Sequence, residues 1–215
     1  MTISLPNPKS WMITHNALEE DLLLLYNTIV ANPIICIAGG SGSGKSTLVN
    51  GFIDAIILHV DSFYKDVLDL TPEEDGLYNF DTPEAIDMQA CYDAAADLSH
   101  GKDVVIPTYD YVTLKRTGTE EIKAPKQGQL IVIEGLFALY PPLNELGFLR
   151  IFIETPAEIL IARRIKRDVE KKRGVAETLE WYKKAEIGYA KYIEPTKKYA
   201  NLIMPFSYSP IVFSK

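Results

Sequence analysis

Cysteine is scarce in this 215-residue chain, with only Cys36 and Cys91. Two thiols make no disulfide framework. Cys36 lies in an apolar run and reads as a small core residue. The three histidines, His15, His59 and His100, are scattered, and none stands near a cysteine pair, so no metal-ligand spacing is present. Positive charge is in deficit: 22 Lys and Arg against 29 Asp and Glu leave a net charge of −7. That balance argues against a general nucleic-acid binder, which carries a basic surface. It still allows a phosphate site, which needs only local positive charge. Long hydrophobic runs are missing too, and the apolar stretches are short and bounded by polar residues, so no membrane-spanning helix is expected. The N-terminus shows no basic stretch followed by an apolar core of signal-peptide length. A reducing, cytoplasmic setting is the expectation.

What is present suits one ample core. Hydrophobic residues make up 47% and charged residues 24%, which is ordinary for a globular protein of this size. Residues 1–14 carry Pro6 and Pro8 and read as a loose leader. From Asn16 to Ala31, Leu18, Leu22, Leu25, Tyr26 and Ile29 recur at helical spacing, and Pro33 ends the pattern. The run 34–38 is apolar throughout, as expected of a strand buried on both faces of a parallel sheet. Residues 55–60, 130–133 and 149–153 repeat that signature, with weaker copies at 104–106 and 201–204. Helical patterns fill 83–99, 156–172 and 177–199. Residues 108–128, rich in Tyr, Thr, Lys and Gly, predict a hairpin or loop outside the main sheet. The alternation predicts an α/β fold of three layers around a parallel sheet.

The chemistry starts after the first strand. Gly39, four residues, Gly44, Lys45 and Ser46 fill the P-loop pattern within Gly39-Gly40-Ser41-Gly42-Ser43-Gly44-Lys45-Ser46-Thr47. Glycines let the backbone curl so that successive N–H groups point at phosphate oxygens. A helix expected from Thr47 to about Asp54 adds its dipole. Lys45 can reach the β- and γ-phosphates, and the Ser46 hydroxyl can ligate Mg²⁺.

Ligands in such sheets sit beyond the carboxyl ends of the strands. The strand at 55–60 leads into Asp61, which there can accept a proton from an attacking hydroxyl, hold Mg²⁺ through water, or simply cap a turn. Glu134 ends the strand at 130–133, where a carboxylate serving Mg²⁺ would sit. Arg163, Arg164, Lys166 and Arg167, with Lys171, Lys172 and Arg173, form the main basic cluster of an acidic chain. It reads either as a solvated helix face or as a lid whose arginines close over phosphates. Phe63, Tyr64, Tyr78, Phe80, Tyr109 and Tyr111 gather between the strands, as core or as a surface for stacking a planar substrate.

Taken in order, these stretches resemble the uridine kinase family, uridine–cytidine kinases included, within the phosphoribulokinase/uridine kinase group. The resemblance runs from about Ile34 to Met204. It rests on the P-loop, Asp61-Ser62-Phe63-Tyr64, Asn79-Phe80-Asp81-Thr82-Pro83-Glu84-Ala85, Pro107-Thr108-Tyr109-Asp110-Tyr111, Glu134-Gly135, Arg163-Arg164 with Arg167-Asp168, and Pro195-Thr196-Lys197-Lys198-Tyr199-Ala200. It implies a P-loop kinase fold with a helical lid. Asp61 would be the general base for a ribose 5′-hydroxyl, and Asp81 would hold the 2′- and 3′-hydroxyls. Tyr64, Tyr109 and Tyr111 would wall the nucleoside pocket. Arg164, Arg167 and Arg173 would be lid arginines, Arg164 and Arg173 also touching substrate. Glu134, with Ser46 and Asp61, would serve Mg²⁺. The chain departs from the pattern at Thr113-Leu114-Lys115-Arg116, where the family often has a histidine contacting the pyrimidine; Leu114 cannot make that hydrogen bond. The segment between the P-loop helix and Asp61 is short for the family, and a second lid arginine after Gly174 is missing.

The expectation is one P-loop kinase domain over 1–215, with a leader and helix at 1–32, a core at 33–155 and 174–215, and a lid at about 156–173. ATP and Mg²⁺ would be its cofactors and a nucleoside its small-molecule partner, without nucleic acid or membrane; a homo-oligomer is compatible with the sequence. Rival readings are a related kinase acting on pantothenate, ribulose phosphate or nicotinamide riboside, and a non-catalytic nucleotide-binding regulator.

Overall fold

The computed structural model describes residues 31–72, 78–170, 174, 182–183 and 185–205. The leader, all but the last residue of the amphipathic helix expected from Asn16 to Ala31, Arg173, and residues 177–181 and 184 of the helical pattern at 177–199 lie outside the described residues.

Five strands form one parallel sheet: β1 (Ile34–Gly39), β2 (Ile56–His59), β5 (Ile131–Glu134), β6 (Leu149–Glu154) and β7 (Leu202–Pro205). Their spatial order is β2-β5-β1-β6-β7. The fold is a P-loop α/β fold with β1 at its centre. Every residue of β1 is buried. Its side chains alternate between two cores, as the period of a strand demands. Ile34, Cys36 and Ala38 join one cluster, and Ile35 and Ile37 join the other. The first cluster is covered by α2 (Met88–Ser99) through Cys91, Ala94, Ala95 and Leu98. The second is covered by Leu48 and Val49 of α1 (Lys45–Val49). Both thiols are free and fully buried. Burial pushes the Cys36 thiol up to about 12 and raises Cys91 as well.

Four expectations need correction. The apolar run at 104–106 does not join the main sheet. It opens β3 (Val104–Asp110), which pairs antiparallel with β4 (Lys115–Ile122) in a separate ribbon. The reason is in its alternation: Val104 and Ile106 are buried, while Val105 is 65% exposed. A two-sided sheet would bury all three. The hairpin expected at 108–128 therefore begins earlier. The helix after the P-loop covers Lys45–Val49 rather than Thr47 to Asp54, and turns follow in which Asp54 adopts a positive φ of 61°. The pattern at 83–99 divides into a 3₁₀ turn at Pro83–Ala85 and α2, which Asp87 caps by accepting from the Ala90 N–H at 3.2 Å. The described part of 177–199 is no single α-helix. Tyr189–Ile193 is π-helical and Glu194–Tyr199 is 3₁₀, consistent with Pro195, which lacks an N–H and crowds the preceding turn.

The register levels the strand ends. His59 and Ile37 both lie opposite Glu134. The P-loop, the turn bearing Asp61, and Glu134 therefore emerge side by side.

Candidate active site

The P-loop leaves β1 at Gly39. A Cβ there would stand 2.7 Å from the Ile153 carbonyl oxygen and 2.8 Å from Ser43 Oγ, so only glycine fits. Gly42 and Gly44 hold φ values of 89° and 104°, in the left-handed region that glycine enters without penalty. Lys45 is buried, and its Nζ donates to the carbonyls of Gly39 at 2.9 Å and Gly40 at 3.1 Å. Burial pulls its pKa down, and Glu134 and then Asp61 pull it back up. With α1 only five residues long, an anion here would be held by loop amides and Lys45 more than by a macrodipole.

Three oxygen-bearing side chains gather beside Lys45. Ser46 Oγ donates to Glu134 Oε2 at 3.4 Å. Asp61 occupies the 3₁₀ turn Val60–Phe63 that follows β2. Gly135 lets the two strand ends approach, since a Cβ there would fall 2.6 Å from Val60 Cβ and 3.6 Å from Asp61 Oδ1. Burial raises the Asp61 carboxyl; Lys45 opposes the rise and Glu134 adds to it. A hydroxyl and two carboxylates are hard donors that suit Mg²⁺. Among the described residues no group of three His, Cys, Asp or Glu forms a metal cage.

Beyond the loop lies a cavity of about 620 Å³, lined in part by Gly40, Asp81, Leu136, Arg164, Tyr189 and Ile193. Asp81 is placed by its N–H, which donates to Asn79 Oδ1 at 2.9 Å. Its backbone also packs against Gly188, where a Cβ would come 2.5 Å from the Asp81 carbonyl oxygen. Burial raises the Asp81 carboxyl, and Arg164 opposes. Arg164 Nε is buried without a hydrogen-bond partner among the described residues.

Tyr64, Tyr109 and Tyr111 do come together, but beside Asp61 and not along that cavity. Ring centroids lie 5.4 Å apart for Tyr64 and Tyr109, 5.3 Å for Tyr109 and Tyr111, and 6.4 Å for Tyr64 and Tyr111. Phe80 meets Tyr64 edge-on at 5.9 Å. The Tyr109 hydroxyl is buried without a partner among the described residues, and burial pushes it up to about 12. Tyr111 is raised by burial and then by the charge of Asp61, which its hydroxyl faces.

The basic cluster divides by helical geometry. Residues four apart share a face of a helix, and the next residue is turned by about 100°. On α3 (Ala157–Glu170), Arg163 and Arg167 face the P-loop. Arg163 Nη1 donates to the carbonyls of Gly42 at 3.0 Å and Ser43 at 3.2 Å. Arg167 Nη1 donates to Ser41 Oγ at 3.4 Å. Arg164 turns instead towards Asp81 and the cavity.

Sequence reasoning assigned no individual role to Arg163 or Arg116. Arg116 Nε donates to the Tyr64 carbonyl at 2.9 Å and Nη2 to that of Phe63 at 3.2 Å. It pins the hairpin to the turn that carries Asp61. No local motif signals such a contact, whose partners are more than fifty residues away.

The family model for the phosphoribulokinase / uridine kinase family matches residues 34–209. Uridine kinase of Ligilactobacillus salivarius is 36% identical over 181 residues, covering 80% of this chain and 84% of that protein. Uridine kinase of Staphylococcus carnosus is 37% identical over 184 residues, covering 81% and 88%. Among solved structures, a candidate fructose transport system kinase from Silicibacter sp. TM1040 aligns with TM-score 0.65 at 22% identity, covering 90% of this chain and all of that one. A candidate uridine kinase from Bacillus stearothermophilus aligns with TM-score 0.55 at 18% identity, covering 87% and 99%. At those identities the two structures speak for the fold alone. Together with the P-loop and the carboxylates beside it, the match over 34–209 means that this chain belongs to the phosphoribulokinase / uridine kinase family and is an ATP-dependent kinase.

Proposed function

We propose that the chain transfers the γ-phosphate of ATP to the 5′-hydroxyl of a pyrimidine nucleoside, uridine or cytidine. The observation that carries this reading is a half-buried carboxylate, Asp61, beside the P-loop lysine, with a second carboxylate, Asp81, on the adjoining cavity. The curated relatives named uridine kinase support it.

In this reading Gly39–Thr47 and Lys45 hold the β- and γ-phosphates, and Arg167 borders the same loop. Asp61 accepts the proton of the 5′-hydroxyl. The oxygen then bonds to the γ-phosphorus as its bond to the β-γ bridging oxygen breaks, and ADP leaves. The proton later passes from Asp61 to solvent. The raised Asp61 pKa helps, because a base works best when its pKa approaches the working pH. Asp81 holds the ribose diol, with Arg164 and the tyrosine cluster at the border of the substrate. Ser46 and Glu134, with Asp61 through water, would hold Mg²⁺, which would neutralise charge on the phosphates. The chain acts as one domain in which residues about 156–173, Arg173 included, form a lid over the core.

ADP release measured over uridine, cytidine, purine nucleosides, pantothenate, ribulose phosphate and nicotinamide riboside tests the reading. The highest kcat/KM should fall on uridine or cytidine. A higher value on a non-nucleoside would replace the acceptor, and no turnover with any substrate would favour a regulator.

A further inference from the structure

The P-loop is held from two sides. On one, Lys45 Nζ takes the carbonyls of Gly39 and Gly40. On the other, Arg163 Nη1 takes those of Gly42 and Ser43 at 3.0 and 3.2 Å. The Ser43 carbonyl also accepts from Thr155 Oγ1 at 3.4 Å. The loop needs such support, because Gly42 and Gly44 have no side chains to fix their peptides and glycine is the least restrained residue. In a planar trans peptide the carbonyl and the following N–H point in opposite directions. Fixing the Gly42 and Ser43 carbonyls towards α3 therefore turns the N–H groups of Ser43 and Gly44 away from α3. The Ser43 N–H closes a turn on the Gly40 carbonyl at 3.0 Å, which locks the same curl from within. Contact is close: a Cβ at Gly42 would lie 3.6 Å from Arg163 Cβ.

We propose that Arg163 is a positioning residue: it sets the peptide orientation of the phosphate-binding loop from outside and so fixes the loop's ground-state affinity for nucleotide phosphates. This rests on the phosphate-binding role of Gly39–Ser46. It separates Arg163 from its neighbours. Arg164 faces Asp81, and Arg167 donates to a loop side chain, Ser41 Oγ. Arg163 donates to the loop backbone at two carbonyls. Its side chain is largely solvated, so its loss should cost the fold little, whereas a loosened glycine loop binds phosphate less well.

The test compares the full-length protein with Arg163→Met, Arg163→Lys and Lys45→Ala. ADP and ATP affinity are measured by calorimetry, melting temperature without ligand, and KM and kcat for both substrates. Arg163→Met should weaken ADP binding by about 5- to 20-fold, the scale of lost hydrogen bonds from a charged donor. Arg163→Lys should recover most of that, since an ammonium can still donate to both carbonyls. The acceptor KM and the kcat at saturating ATP should stay within about twofold, and the melting temperature within about 2 °C. ADP affinity unchanged in Arg163→Met overturns the proposal. So does a fall in kcat with ADP affinity intact, which would put Arg163 on the transferring group, and so does a large fall in melting temperature with both substrates weakened. If Lys45→Ala leaves ADP binding untouched, the phosphate-loop reading itself fails. If Lys45→Ala weakens binding and Arg163→Met does not, only the present inference fails.

Discussion

The phosphate-binding loop takes Gly39 through Ser46 from one unbroken stretch of chain. The cavity beside it takes Asp81, Leu136, Arg164 and Tyr189 from four separate segments. The loop's support is mostly polar contact with backbone carbonyls, from Lys45, Arg163 and Thr155. The proposed acceptor side adds packing to its hydrogen bonds from Asp81 to Asn79 and from Arg116 to Tyr64, with Gly188 against Asp81 and rings against rings at 5.3 to 6.4 Å. Backbone contacts tolerate few alternatives, because every polar group of a tight loop must be met. Packed side chains can be exchanged for others of similar volume. On the proposed function, substitution should therefore damage the nucleotide side more readily than the acceptor side.

Four measurements press on that contrast. The largest effect belongs to Asp61→Asn, which keeps the shape and removes the proton acceptor. It should lower kcat by about 10²–10⁴ with little change in nucleoside KM; a rise in KM alone would move Asp61 from chemistry to binding. Asp81→Asn comes next and should act mainly on binding, raising nucleoside KM by about 10- to 100-fold, the scale of hydrogen bonds to a charged group. A 2′,3′-dideoxy nucleoside should be a poor substrate for the parent and lose little more in this variant. Loss of turnover at saturating nucleoside would exchange the two roles.

Base selection should be modest. Leu114, at a positive φ of 56° on the hairpin, offers no polar reader, and apolar walls discriminate by only about 10–200-fold. The ratio of kcat/KM between nucleosides checks this, and strict preference for one pyrimidine by about 10⁴ or more would contradict it.

The smallest effect is in pH. Because burial raises Asp61, the base is lost as pH falls through a folded value above the usual carboxylate value of about 3.9. The acid limb of kcat/KM should therefore lie on the neutral side of that value. The sign for stability follows. A raised carboxyl disfavours the charged form, so Asp61 costs stability at neutral pH, and the cost vanishes below the unfolded value. Asp61→Asn should melt above the parent at pH 7, and the gap should close towards pH 4. A gap that widens on acidification would reverse the assignment.

The sequence is most readable where function is local. Gly39–Ser46 carries its own conformational requirements, and β1 declares two-sided burial by being apolar at every position. The ribbon at 104–122 was half readable: its turn residues marked a hairpin, while Val104-Val105-Ile106 imitated a sheet strand because three β-branched residues look alike until one face meets solvent. Asp61, Glu134 and Asp81 were legible through motif order, and their convergence depends on strand register. The division of Arg163 from Arg164 was not legible, because adjacent arginines differ only in which side of α3 meets the loop. Arg116 was hidden for a simpler reason, since its partners at Phe63 and Tyr64 are distant in the chain.

The two thiols have a practical consequence. Cys36 sits on the central strand and Cys91 on the helix that covers it, both without solvent exposure and both with pKa values raised by burial. A thiolate is the reactive form of cysteine, so neither should react with an alkylating reagent while the sheet is closed. The two thiols lie in one cluster on the same face of the sheet, and Cys36 also donates to the Leu143 carbonyl at 3.6 Å. Alkylation of both is then a clock for one event, the lifting of the cover that α2 and the segment at Leu143 place over that face.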